Sequence, residues 1–138
     1  MLKYLKLQNV GPAAEMELEL GSRLNILTGD NGLGKSFLLD VAWYFEGDGS
    51  WPAEVNPRLI TGKSILPQKG KKPLITYKKV DQSKEVEYHA KFDFASLNWS
   101  SHVKNHRYED DIQDSKISIY WMADGSCAVH DRYRYDNA

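Results

Sequence analysis

The stretch 24-LNILTGDNGLGKSFLLDVAWYF-45 decides how the fold is read. Its opening residues, Leu24 to Thr28, form a short, mostly apolar run of the kind that makes a buried strand. Next comes 29-GDNGLGKS-36, where Gly29 is followed by four residues and then by Gly34, Lys35 and Ser36. That is the G-x-x-x-x-G-K-[ST] spacing of a phosphate-cradling P-loop. From Ser36 to Phe45, apolar residues fall on nearly every face of a helical wheel, which predicts a helix enclosed by sheet and further chain. Strand, glycine loop and buried helix in that order predict an α/β fold.

The residue types fit the chemistry of a polyphosphate, whose dense negative charge is met by main-chain N–H groups turned inward around one loop. Gly29, Gly32 and Gly34 permit backbone conformations and close approaches that a Cβ would obstruct. The free N–H groups at the start of the helix add partial positive charge. Lys35 is expected to reach the β and γ phosphates, and the Ser36 hydroxyl to ligate Mg²⁺. The echo 61-TGKS-64 is read as loop, because Pro57 stands where the first glycine would be needed and Pro67 follows too closely for a helix.

Outward from this stretch, residues 2 to 7 and 16 to 20 alternate apolar with polar or charged side chains around Asn9, Gly11 and Pro12, which predicts a hairpin-like pair of strands. After the helix, Gly47-Asp48-Gly49-Ser50 and the prolines at 52, 57, 67 and 73 predict a loop insertion over 47–73. Leu74 to Val80 and Glu85 to Phe94 alternate around Asp81-Gln82-Ser83-Lys84, a second hairpin. Residues 96 to 115 read as a polar segment. Ile117 to Met122 and Ser126 to Val129 flank Ala123-Asp124-Gly125, where Asp-Gly is a tight-turn signal. The expected organisation is one domain, 1–138: strands, P-loop and helix over 1–46, the insertion, then β-hairpins and the polar segment over 74–138.

With 138 residues and 41% hydrophobic content, the chain has material for one core and not two. Eighteen basic residues against nineteen acids leave no overall excess of the kind that argues for nucleic acid. Cys127 is the only cysteine and cannot form an internal disulfide. The segment MLKYLKLQNV lacks the apolar core of a signal peptide, and no apolar run approaches the roughly 20 residues that cross a bilayer. A cytoplasmic protein without membrane contact is expected.

The run LNILTGDNGLGKSFLLD, with LKYLKLQNVGPAAEMELEL before it, resembles the N-terminal segment of the SMC, RecF, RecN and OLD group of ABC-type P-loop ATPases. In that group two strands around an "N-F/V-G/K" turn precede a strand, a G-x-N-G-x-G-K-[ST] loop and a buried helix. Asn9-Val10-Gly11 and Gly29-Asp30-Asn31-Gly32-Leu33-Gly34-Lys35-Ser36 occupy those places here. The resemblance implies that the residues from Asn31 through Leu33 to Phe37 wrap the phosphates of ATP, with Mg²⁺ on Ser36. It also implies ATP-dependent dimerisation, as a homodimer or with a partner ATPase subunit, in DNA maintenance or in defence against foreign DNA such as phage.

Hydrolysis in that group needs a buried strand ending in Asp-Glu and an L-S-G-G-like segment. The nearest imitation of the first is 117-ISIYWMAD-124, but Gly125 stands in place of the glutamate and the segment turns back like a hairpin. Gln68 and Gln82 are candidates for the glutamine that senses Mg²⁺ and the γ phosphate, although both sit in turn-like sequence. The expected fold is therefore a partial, ABC-ATPase-like P-loop lobe: a strand-rich antiparallel portion plus one buried helix, cut before its catalytic acids. Turnover by this chain alone is expected to be slow or undetectable. Two other readings remain open: a non-catalytic, nucleotide-responsive module that pairs with a larger ATPase, and, disfavoured, a small P-loop kinase.

Other constellations are weaker. Between Val55 and Val80 stand Arg58, Lys63, Lys69, Lys71, Lys72, Lys78 and Lys79 with no acid, a run able to hold a DNA backbone without reading sequence or simply to solvate a loop. His102 and His106, followed by Glu109, Asp110 and Asp111, lack the four-ligand pattern of a structural metal site and read as polar surface. Cys127 reads as a small core residue, His89 and His130 as partly buried, and Arg132 to Tyr135 as an edge or frayed end.

Overall fold

The computed structural model describes residues 1–30, 32, 34–46, 65–80, 84–103, 117–121 and 127–131, the last two ranges by backbone alone. In chain order the elements are β1 (Leu2–Val10), β2 (Ala13–Glu19), α1 (Lys35–Glu46), β3 (Leu74–Val80), β4 (Glu85–Asp93), β5 (Asn98–Val103), β6 (Ile117–Trp121) and β7 (Cys127–Asp131). The first five strands form one sheet in the order β2-β1-β3-β4-β5, and β6 pairs with β7 in a separate two-stranded sheet. Every one of these pairings is antiparallel.

This arrangement overturns the expected α/β P-loop lobe. The described chain is β-rich, an antiparallel five-stranded sheet carrying a single short helix. The deciding difference lies at Leu24–Thr28, which is not a strand: Leu24 is 80% exposed and Ile26 76% exposed, and only Leu27 leans on the core. A central buried strand needs hydrogen-bonding neighbours and cover on both faces. Among the described residues, none pairs with this run. The helix differs in the same sense. Leu38, Val41, Ala42, Tyr44 and Phe45 are buried, but Ser36 is exposed and Leu39 is 42% exposed, so one side of α1 faces outward instead of being enclosed.

Period-2 alternation explains the sheet. Leu5 and Leu7 on β1 face Leu18 and Met16 on β2 and Tyr77 and Ile75 on β3, while β3 in turn sets Tyr77 beside Tyr88 and Ile75 beside Ala90 of β4. These residues make one apolar face. Phe45 of α1 lies 4.6 Å from the Tyr77 ring, which stacks on Tyr88 at 4.8 Å, so one aromatic column ties the helix to β3 and β4. Truncating Phe45 to Ala would cost about 3–5 kcal/mol. The opposite face carries Tyr4, Lys6, Glu15, Glu17, Lys78, Glu87 and His89. Its exposed ion pairs, Lys6–Glu15 at 3.3 Å and Lys3–Glu85 at 3.1 Å, specify register more than they stabilise.

The polar segment expected from residue 96 contains a strand, β5. Its sequence NWSSHV hides the signal, since Trp99 is the one large apolar side chain that it buries; that ring packs edge-on to Phe92 at 5.1 Å. The turn between β4 and β5 is closed by Asp93, which accepts from the Ala95 amide and the Ser96 hydroxyl.

A candidate phosphate-binding loop

The loop joins α1 at its N-terminus. The amide of Leu38 donates to the carbonyl of Gly34 at 2.9 Å, the first bond of the helical ladder. The amides of residues 35–37 therefore precede that ladder and lie at the positive end of the helix. Gly29 (φ 141°), Gly32 (φ 86°) and Gly34 (φ 83°) all adopt the backbone region that L side chains avoid. Lys35 folds back along the loop, its ammonium donating to the carbonyl of Gly29 at 2.6 Å and to that of Asp30. Ser36 is exposed in the first turn of the helix. The first-turn amides, an ammonium and a hydroxyl thus belong to consecutive residues at one helix end, which is the equipment an anionic oxygen needs. Asn31 and Leu33 lie outside the described residues.

Phe37 takes a role that sequence reading missed. Its ring packs on Gly11 so closely that a Cβ there would fall 2.2 Å from Cε1, and Gly11 itself has φ +73°. Gly34 makes a second contact, with the position of its Cβ only 3.0 Å from Pro12 Cγ and from Met16 Cε. The start of α1 is therefore pressed against the β1–β2 turn. The hint in the sequence was the pair Asn9 and Gly11, two residue types that tolerate positive φ; Asn9 indeed sits at φ 56°.

Gln68 lies alongside that turn, next to the bridge between Val10 and Pro67. Its side-chain amide donates to the Gly11 carbonyl at 3.1 Å and its main-chain amide to the Asn9 carbonyl at 2.8 Å. Its polar end is thus engaged with the turn, and Gln82 is outside the described residues. Asp124, the candidate acid of the second motif, is also outside them, and β6 before it pairs antiparallel with β7.

The basic run does not form one patch. Lys69, Lys71 and Lys72 are exposed around one turn, whereas Lys78 sits over the Tyr4 ring at 5.4 Å on the polar face. Lys79 points the other way, buried, and donates to the main-chain carbonyl of Glu46 at 3.1 Å. Alternation along β3 separates these two neighbours by a full sheet thickness. Arg58 and Lys63 lie outside the described residues. His102 is exposed on β5 opposite His89, whose ring meets Glu87 at 3.0 Å; His106 and the acids after it are not described. Among the described residues no group of three or more His, Cys, Asp or Glu could hold a metal ion. Nor is any described helix long and apolar enough to cross a membrane.

No family model, no curated protein and no solved structure matches this chain.

Proposed function

We propose that the segment from Gly29 to Phe37 binds the phosphates of Mg·ATP, and that the chain is the nucleotide-binding N-terminal part of an ATPase of the SMC, RecF and OLD kind. The observation that carries the reading is the conjunction at one helix end: three glycines at positive φ, and Lys35 turned back over the loop onto the carbonyls of Gly29 and Asp30. On binding, the Lys35 ammonium exchanges those two carbonyls for phosphate oxygens, a swap of neutral acceptors for charged ones that favours the bound state. The Ser36 hydroxyl takes Mg²⁺. Such a protein works in the cytoplasm in DNA maintenance or defence.

A second reading is a non-catalytic module that pairs with a larger ATPase. It is favoured by the outward-facing Leu24 and Ile26 immediately before the loop, apolar surface that a partner would cover.

Titration of the chain with Mg·ATP followed by calorimetry tests the reading. Saturable binding that is lost in Lys35→Ala is expected, together with turnover too slow to detect. Heat of binding that is the same in wild type and Lys35→Ala would refute the site. Measurable steady-state hydrolysis would remove the module reading.

A further inference from the structure

We propose that Gln68 is a positioning residue for the phosphate loop, acting through the β1–β2 turn and the ring of Phe37; the inference rests on the nucleotide reading above. The start of α1 has two seats on that turn, Phe37 on Gly11 and Gly34 on Pro12 and Met16. The turn itself carries two residues at positive φ, Asn9 and Gly11. It is also held by the segment after Ile65. The Gly11 amide donates to the Leu66 carbonyl at 3.3 Å, the Gln68 amide to Asn9 at 2.8 Å, and the Asn9 side chain to the Lys72 carbonyl at 2.9 Å. Val10 and Pro67 form a single bridge between them.

Within this set the Gln68 side chain has a particular place. Its donation to the Gly11 carbonyl at 3.1 Å fixes the peptide plane that leaves Gly11, the residue whose Cα receives the Phe37 ring. Gly11 is therefore shared, its carbonyl bonded to Gln68 and its Cα packed by Phe37. Phe37 directly follows Ser36 and lies two residues after Lys35. Rotating the Gly11 peptide moves the Phe37 seat, and with it the helix end whose amides, ammonium and hydroxyl meet the nucleotide. Gln68 thus acts on the loop at one remove, through main chain and an aromatic ring.

The test is the affinity for Mg·ATP of wild type, Gln68→Ala, Gln68→Glu, Phe37→Ala and the double variant Gln68→Ala with Phe37→Ala, with thermal unfolding of each unliganded protein. Gln68→Glu keeps the shape of the side chain but removes the donor, so it carries the test if Gln68→Ala does not fold. Each Gln68 variant is expected to weaken binding about three- to tenfold, the value of one hydrogen bond. The double variant should bind no more weakly than Phe37→Ala alone, because both substitutions interrupt one route. A glutamine serving stability alone would lower the melting temperature and leave the affinity of the folded protein unchanged. Wild-type affinity in the Gln68 variants, or additive losses in the double variant, overturns the inference while leaving the nucleotide site intact. Absence of binding by wild type, or retention of it by Lys35→Ala, defeats the nucleotide reading and the inference with it.

Discussion

The indole N–H of Trp99 donates to the carbonyl of Ile65 at 2.7 Å, joining two buried residues 34 positions apart. The bond fastens β5 to the segment that goes on to hydrogen-bond with the β1–β2 turn. Trp99→Phe keeps an aromatic ring against Phe92 but leaves the buried carbonyl without its donor. We expect a loss of about 1–3 kcal/mol, read as a lower urea midpoint at constant m-value.

This bond also marks where sequence reading stops. The hairpin of β1 and β2 was legible because Leu5, Leu7, Met16 and Leu18 alternate strictly with Lys6, Gln8, Glu15 and Glu17, and β3 and β4 for the same reason. In β5, alternation is carried by a single tryptophan among serines and a histidine, too little to set a period. Leu24 to Thr28 failed in the opposite way. An apolar run reports the capacity to be buried, but burial needs partners, and the described residues supply them to Leu27 and not to Leu24 or Ile26. Around the candidate phosphate loop, the positive φ of Gly29, Gly32 and Gly34 was legible from residue type alone. The contacts around the β1–β2 turn, Gly11 with Phe37 and Gln68 with Gly11, join positions 26 and 57 residues apart and leave no local pattern.

Glu46 closes the opposite end of the helix. Its carboxylate accepts from the Leu2 amide and stands 3.9 Å from the N-terminal ammonium, which itself donates to the Val80 carbonyl at 3.0 Å. Glu46→Ala strands the Leu2 amide. A loss of about 1–2 kcal/mol is expected by chemical denaturation. Glu46→Gln retains an acceptor and should lose less; equal stability of the alanine variant and wild type would mean that this end is not closed in solution.

Tyr4 gives a pH signature. Removal from water, the hydrogen bond from its hydroxyl to Glu17 at 2.8 Å, and the charges of Glu17, Glu15 and Glu87 all favour the neutral phenol, which is pushed up from 10.0 to about 12. The folded protein then holds this proton more tightly than the unfolded chain. The resulting stability is fully present below pH 10 and is lost as the pH rises toward 12. In phenolate absorbance, Tyr4→Phe should therefore remove one late-titrating tyrosine from the wild-type curve. Glu17→Gln should bring the midpoint down. A Tyr4 titration at the ordinary value would show that the β1–β2 face is not packed as described.

The segment before the phosphate loop offers the sharpest distinction between two folds for the same sequence. If Leu24 and Ile26 lay in a central buried strand, they would share one face of it, and replacing them by Ser would remove apolar packing there, a cost of several kcal/mol for the pair. With Leu24 80% exposed and Ile26 76% exposed, the same replacements remove almost no area that folding takes from water. Each is then expected to change the unfolding free energy by no more than about 0.5 kcal/mol. Ile65, fully buried, serves as the internal reference: Ile65→Ala should cost about 2–5 kcal/mol in the same assay. Should Leu24→Ser with Ile26→Ser cost as much as Ile65→Ala, residues 24–28 are interior in solution, and the outward course described for them is wrong. Near-neutrality beside a large loss at Ile65 places the apolar run on the surface, directly ahead of Gly29 and the lysine that reaches back to it.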